Sequence, residues 1–226
     1  MSLDSVESYE SPGISLFMKK YDGELNEKGE RHGFGRALLP NGDEYDGDYK
    51  NGKRHGYGKY MFVNGKARYE GEYENGKKSG RGKCWYPDGS VYEGTWAEGL
   101  RNGFGVYTYA NGDRYEGLWE DGRKHGQGEY VYKHQGIRYR GNWSDGEFQD
   151  HGKLITSSYT YTGTFSGEGP VGPGRFHFDA GCEQEGEYVI EGMAQINFTP
   201  RGVVHVPLWK CTSLHKAGPR LDKPLD

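Results

Sequence analysis

The sequence predicts an all-β protein: an elongated, single-layer antiparallel β-meander built from repeated hairpins. Two observations predict it. A tyrosine-led block recurs from Tyr21, Tyr45, Tyr69, Tyr92, Tyr115, Tyr139 and Tyr161, at spacings of 24, 24, 23, 23, 24 and 22 residues. A fixed period in this range marks a repeat architecture. Inside each block, as in YEGTWAEGLRNGFGVYTYANG from Tyr92, Tyr, Gly and Trp alternate with polar residues, so one strand face carries all three.

Each block contains two turns. The first is Asn51-Gly52, Asn75-Gly76, Glu98-Gly99, Asp121-Gly122 or Asp145-Gly146; the second is Asn41-Gly42, Asn64-Gly65, Asp88-Gly89 or Asn111-Gly112. Such pairs tolerate the positive φ of tight hairpin turns. A block is therefore one hairpin, and hairpin follows hairpin, giving about fourteen strands at two per repeat. Glycine weakens strands in general, so its recurrence calls for a packing role. An aromatic ring over the glycine of a neighbouring strand supplies one. The expected repeat-packing set is Tyr45, Gly47 and Tyr49; Tyr69, Gly71 and Tyr73; Tyr92, Gly94 and Trp96; Tyr115, Gly117 and Trp119; and Tyr139, Gly141 and Trp143. The aromatic members are expected to form a long apolar stripe, available to partners.

The pattern Y-x-G-x-W-x-x-G-x-x-H-G-x-G resembles that of the MORN-repeat family. It is carried by Tyr45, Gly47, Tyr49, Gly52, His55, Gly56 and Gly58, and by Tyr115, Gly117, Trp119, Gly122, His125, Gly126 and Gly128. The resemblance covers residues 21–188. Residues 1–20 form a polar N-terminal tail with a short apolar run. Residues 139–188 are read as decaying repeats. The sixth has a lengthened turn at Phe148-Gln149-Asp150 and lacks the second glycine of its pair. The seventh passes into Gly169-Pro170-Val171-Gly172-Pro173-Gly174, and Gln184-Gly186-Tyr188 opens a degenerate eighth. Residues 189–226 break the rhythm. There the segment GVVHVPLWK offers Val203, Val204, Val206, Leu208 and Trp209 as a partner-docking element, or as an edge strand on the last repeat.

The strings GERHGFGRALLPNGDEY, from Gly29, GPVGPGRFHFDAGCEQEGEY, from Gly169, and VPLWK, from Val206, are similar to the radial spoke head members of the family. The chain ends without the long acidic extension of the vertebrate members. The resemblance implies a structural subunit of the spoke head in the axoneme of motile cilia and flagella, a part of the cytoplasmic cytoskeleton. Its implied partners are other spoke-head subunits, with a second copy of the chain as a further candidate. The spoke head of this family faces the central microtubule pair and passes mechanical signals toward the dynein arms.

Composition bounds the alternatives. The 226 residues carry a net charge of -4, with 33% hydrophobic and 15% aromatic residues. Low hydrophobicity alone suggests disorder, but 19 Tyr and 5 Trp in register argue for an ordered, thin sheet. Lysine and arginine scattered among acids make no nucleic-acid footprint. No apolar run has membrane-span length, and no secretory signal, myristoylation or prenylation motif is visible. The membrane or phospholipid tether that MORN arrays form elsewhere is the alternative reading, and wants a basic face or an anchor. Three cysteines without a C-x-x-C motif make neither a disulfide framework nor a zinc site, and the chain reads as intracellular.

No catalytic, cofactor or metal residue is assigned. His32, His55 and His125 recur, but Ser79 and Asn102 occupy the equivalent places, and a ligand or general base does not exchange that way. Gly103-Phe104-Gly105 lacks the following helix that a phosphate loop needs. No enzyme is expected.

Overall fold

The computed structural model describes residues 20–63, 65–167, 169–189 and 208–220. They form one open antiparallel sheet whose sixteen strands follow in chain order. The first eight are β1 (Tyr21–Leu25), β2 (Arg31–Leu38), β3 (Glu44–Lys50), β4 (Lys53–Met61), β5 (Arg68–Glu74), β6 (Lys77–Trp85), β7 (Val91–Ala97) and β8 (Leu100–Thr108). The others are β9 (Arg114–Glu120), β10 (Arg123–Tyr132), β11 (Ile137–Ser144), β12 (Glu147–Ile155), β13 (Tyr159–Gly167), β14 (Gly169–Phe178), β15 (Cys182–Val189) and β16 (Leu208–Lys216). The two strands beyond fourteen are β15, the first strand of the degenerate eighth repeat, and β16. The N-terminal tail to Lys19, Asn64 of one turn, and Val203, Val204 and Val206 lie outside the described residues.

In the five hairpins from β3 to β12 the first turn is a two-residue loop with both residues at positive φ, such as Asn51 at 49° and Gly52 at 79°. This mirror-image turn matches the right-handed strand twist. Glu98 adopts φ 52° in the same place without the local hydrogen-bonding advantage of Asn or Asp.

A bulge follows every such turn. In the pair β9–β10, Gly117 faces Gly128, while Leu118 faces His125. The two extra residues on β10 include Gly126 at φ 56°. The sixth repeat uses the same geometry with a different residue. Gly141 faces Gly152, Asn142 faces Gln149, and Asp150 takes the positive-φ position at 57°. The turn is therefore not lengthened, and the glycine replaced is the first of the pair, not the second. Asp enters the left-handed region more readily than most residues, which permits the exchange. The proline-rich start of β14 is likewise regular: Gly163 faces Gly174, and Gly172 holds the bulge at φ 62°.

Register places one glycine of each strand from β1 to β15 in a single row. Gly23 faces Gly35, Gly35 faces Gly47, and the pairing continues without a gap to Gly174 and Gly186. In β16 the row ends on Cys211. There Trp209 covers Gly186, and its ring meets Tyr188 at 5.2 Å, Phe176 at 4.9 Å and Tyr161 at 5.9 Å. After β16 the chain turns back over the last hairpins. Ala217 N–H donates to Gly181 O at 2.8 Å. The buried Arg220 donates to Thr156 O at 2.8 Å and pairs with Asp179 at 3.1 Å.

A Cβ at Gly117 would sit 2.6 Å from Gly128 Cα, 2.6 Å from Tyr115 Oη and 2.7 Å from Gln127 O. Two of these neighbours are backbone and cannot yield. Gly117→Ala is expected to destabilise by about 3 kcal/mol, the upper end of ordinary overpacking. Gly169→Ala, which meets nothing within 4 Å, is the control and should be neutral. Urea denaturation of both variants checks this.

Candidate functional site

The two faces of the sheet differ in kind. On one, the leading tyrosine of each repeat lies flat across the glycine row. Tyr45, Tyr69, Tyr92, Tyr115, Tyr139 and Tyr161 are at most 1% exposed. The bulge skips one carbonyl on the first strand, and the tyrosine hydroxyl binds it in the repeats led by Tyr45, Tyr69, Tyr92, Tyr115 and Tyr139. Tyr45 donates to Asp48 O at 3.0 Å, Tyr92 to Thr95 O at 2.9 Å and Tyr115 to Leu118 O at 2.9 Å. A buried carbonyl without a partner would cost about 1–3 kcal/mol.

The second aromatic of each repeat stands edge-on between two tyrosines. The chain of contacts runs Tyr49, Tyr45, Tyr73, Tyr69, Trp96, Tyr92, Trp119, Tyr115, Trp143, Tyr139, Phe165 and Tyr161. Centroids lie 4.9–5.6 Å apart, with planes crossing at 74–90°. This is the favoured edge-to-face geometry, and each pair adds about 0.5–1.5 kcal/mol beyond burial. Tryptophan adds a donor: Trp96 Nε1 binds Gly82 O and Trp119 Nε1 binds Gly105 O, both at 3.2 Å. All fifteen residues of the expected repeat-packing set lie on this face.

The expectation of a free apolar stripe is corrected here. The rings are covered by one another, by the glycine backbone and by cations, so they offer little area to a partner. The large exposed apolar side chains of the repeats stand mainly elsewhere. Phe34, Tyr57, Phe104 and Leu118 are 53%, 54%, 54% and 43% exposed on the opposite face. Around them run ion pairs, four across strands, Arg36–Asp46 at 2.9 Å, Lys83–Glu93 at 2.7 Å, Arg140–Glu129 at 2.9 Å and Arg175–Glu185 at 2.6 Å, and one along β9, Arg114–Glu116 at 2.6 Å. Exposed pairs like these contribute little stability each. This face also holds an open cleft of about 760 Å³ near its C-terminal end, where His177 pairs with Glu183 at 3.2 Å. Of the expected docking residues, Leu208 is 50% exposed on β16, whereas the ring of Trp209 is turned onto the last repeats.

Two groups of residues escaped the sequence reading. One is a set of cations two positions after the turn glycine. Arg54 faces Tyr49 across the ladder, Lys78 faces Tyr73, Arg101 faces Trp96 and Lys124 faces Trp119. Each reaches over the second aromatic of the next repeat. Arg54 lies 5.1 Å from Tyr73, Lys78 4.6 Å from Trp96, Arg101 4.3 Å from Trp119 and Lys124 3.9 Å from Trp143. Arg31 sits likewise 5.5 Å from Tyr49. Their recurrence behind the turn was the available signal. Phe148 and Pro170 occupy the equivalent places in the last two regular hairpins, facing Trp143 and Phe165.

The other group is buried in the turns between hairpins. Asp43 accepts from Tyr60 Oη, from Val63 N–H at 2.7 Å and from Asn41 at 2.7 Å. Burial works to raise the Asp43 pKa, but these bonds outweigh it and hold the carboxyl below its ordinary value. Asp113 accepts from Tyr130 Oη at 3.2 Å and from Lys133 N–H at 2.9 Å, and Ser90 Oγ shares a hydrogen bond with Tyr107 Oη at 2.7 Å. These contacts tie each turn to the second strand of the hairpin that follows it, β4, β8 or β10. Among the described residues, no group of three or more His, Cys, Asp or Glu is placed to hold a metal ion.

With the repeat geometry established, similarity to known proteins decides the family. The MORN repeat model matches residues 21–44, 45–67, 69–91, 92–114, 115–133 and 139–160. The Radial spoke head 1 homolog of Cyprinus carpio is 61% identical over 169 residues, 75% of this chain and 77% of the relative. This chain belongs to the MORN-repeat family, among the radial spoke head 1 homologues. The Mus musculus homologue is 54% identical over 204 residues, 86% of this chain, and the chain spans 65% of that relative's length. Among solved structures, the SAS-4 TCP domain of Drosophila melanogaster, in complex with a proline-rich motif of Ana2, covers 79% of this MORN chain. The chain covers 96% of that domain, at 13% identity and a TM-score of 0.45, too low to extend beyond a loose likeness.

Burial sets the pH response of the MORN sheet. It raises the phenol pKa of Tyr92, Tyr139 and Tyr161 to about 12, and that of Tyr45, Tyr69 and Tyr115 further. An unfolded chain ionises these groups near 10, so their contribution is complete below that pH and is lost as pH rises through the folded values. Burial pushes Lys124 the other way, down to about 8. Its unfolded form binds the proton more tightly, so this one group adds stability between about 8 and the ordinary lysine value. Burial lowers the Lys78 pKa as well, and the many tyrosines outweigh these two lysines. The melting temperature should therefore hold up to about pH 10 and fall steeply between 10 and 12. Thermal melts across that range, followed by near-ultraviolet circular dichroism and tyrosinate absorbance, check it.

Proposed function

We propose that this chain is a structural subunit of the radial spoke head in the axoneme of motile cilia and flagella. It acts through protein–protein contacts and performs no catalysis. The observation that carries the reading is the 61% identity to a Radial spoke head 1 homolog across most of both chains. The architecture is compatible with it. Polar hydroxyls and buried carboxyls that in an enzyme would face a substrate are here bound to backbone and turn groups.

The contact surface we assign is the face opposite the tyrosines, with Phe34, Tyr57, Phe104 and Leu118 as apolar anchors and the ion-pair rows as register-setting flanks. Anchors surrounded by polar rims are the usual anatomy of a specific interface. The occupants are other spoke-head subunits, with a second copy of the chain as a further candidate. Leu208, on the edge strand, extends the surface, and Trp209 holds that strand in place.

A tagged chain expressed in ciliated cells should localise along axonemes and be lost from cilia that lack spokes. In pull-downs from axonemal extract, Phe104→Ser with Leu118→Ser should lower recovery of spoke-head subunits about tenfold or more, as loss of an interface anchor does. Leu208→Ser should have a smaller effect. Equal recovery by all forms would remove these residues from the interface; diffuse cytoplasmic signal from the intact chain would remove the spoke-head assignment.

A further inference from the structure

The cations over the aromatic face are not balanced in the way those of the opposite face are. Among the described residues Arg31, Arg54, Lys78, Arg101 and Lys124 make no ion pair, while Arg36, Lys83, Arg114, Arg140 and Arg175 each have a carboxylate within 3 Å. The five form a row, one per hairpin, along the margin of the rings. Arg54 spends one amino group on Gly76 O at 3.0 Å and Arg101 one on Gly122 O at 2.6 Å. A guanidinium has further donors, and an ammonium has three. Between Arg54, Tyr60, Tyr73 and Lys78 the surface sinks into a groove of about 280 Å³.

We propose that this row is a docking track for an extended, acidic polypeptide segment with a carboxylate at every third residue or so. The spacing argues for it. Successive cations are two strands apart, about 9.5 Å, and three residues of extended chain advance about 10 Å. A carboxylate arriving at each cation would be met by a charge already desolvated on one side by an aromatic ring, and charge-assisted hydrogen bonds are the stronger class. Burial lowers the pKa of Lys124, and that of Lys78 against the opposing pull of the Cys84 thiol 3.9 Å away, which agrees with sites that lack a carboxylate. A narrow segment suits the track better than a flat anionic membrane. The cations are half-buried, and acids of the adjoining turns, Glu98, Asp121 and Asp145, stand exposed beside them. The track is argued from the sheet's own charges and does not depend on the spoke-head assignment.

The test uses the full chain and a fluorescein-labelled synthetic peptide with glutamate at every third position, among serine and glycine. An isomer with the same glutamates clustered at one end is the spacing control. Anisotropy titration should give saturable, salt-sensitive binding of the spaced peptide. Arg54→Gln/Lys78→Gln/Arg101→Gln should weaken it about tenfold or more, and Arg36→Gln/Lys83→Gln/Arg175→Gln should leave it within about twofold. If the first triple variant fails to fold by circular dichroism, the wild-type chain still decides. Amine-labelling footprints read by mass spectrometry should then show Lys78 and Lys124 protected by the spaced peptide and Lys83 unprotected. Equal binding of the two peptides, equal loss in the two triple variants, or protection of Lys83 alone would overturn the proposal. So would binding of phosphatidylserine vesicles, but not of peptide, that depends on the same three cations; the row would then be a lipid-facing surface.

Discussion

The interaction on which the rest of this structure depends is the contact between a tyrosine ring and the bare backbone of two paired glycines. A side chain at either glycine would occupy the space the ring now fills. With the Cβ atoms absent, a phenol lies flat, reaches the carbonyl left over by the bulge and shields the ladder from water. A sheet with no second layer has little else with which to bury one of its faces. The aromatic ladder is that second layer, only one ring thick. Glycine costs strand stability in isolation, so glycine and tyrosine make sense only together. Their spacing of two residues along one strand, and thirteen or fourteen to the partner, is the repeat reduced to its physical content.

The bulge has a second consequence. By inserting residues between the glycine pair and the turn, it shifts the register so that the residue two places after the turn glycine falls on the aromatic side. Long cations fill that place in five hairpins, with stems over the rings and charges at the margin. Arg101 and Lys124 each span two hairpins in this way. They couple neighbours that otherwise touch only through the ladder and the rings, which suits a quasi-one-dimensional fold. Where the sequence changes, the chemistry changes in kind. Phe148 replaces the cation in the sixth repeat and joins the ring cluster directly, 4.1 Å from Tyr139 and 4.7 Å from Trp143. The charged row therefore ends where the purely aromatic end begins.

The sheet, its hairpins and its turn chemistry were legible in the sequence because they are local. Period-2 alternation, Asn-Gly turns and a 22–24 residue repeat specify them without any long-range knowledge. Which face would be free was not legible. Alternation separates two faces but does not say that rings can fold down and cover themselves, and the exposed stripe inferred from Tyr and Trp was for that reason placed on the wrong side. The exchange of Gly126 for Asp150 was misread because counting from the histidine, rather than from the tyrosine, displaces the alignment by two residues. Arg220 was illegible altogether. Its partners Thr156 and Asp179 lie 64 and 41 positions away, and nothing in a proline-rich tail announces that a guanidinium will be buried.

The division of labour between the faces follows from the same contact. Positions that hold the fold are fixed in chemistry from repeat to repeat: the glycine pair, the flat tyrosine, the second aromatic. The opposite face carries no such duty, and there the residue between the positive-φ bulge residue and the row glycine runs Phe34, Tyr57, Arg81, Phe104, Gln127, His151 and Pro173. A substitution at any of these leaves the ring ladder untouched, because its side chain points away from it. The sheet can thus vary the sequence of groups it presents, one per hairpin at intervals of about 9.5 Å, without disturbing its stability. A partner reading that order would recognise a pattern of apolar, cationic and polar groups along a ruler, and Phe104 beside Leu118 is the place where two apolar groups fall together. The variable positions and the ring ladder are separated by the thickness of one sheet, so the opposite face can change its chemistry while the rings and glycines go on specifying the fold.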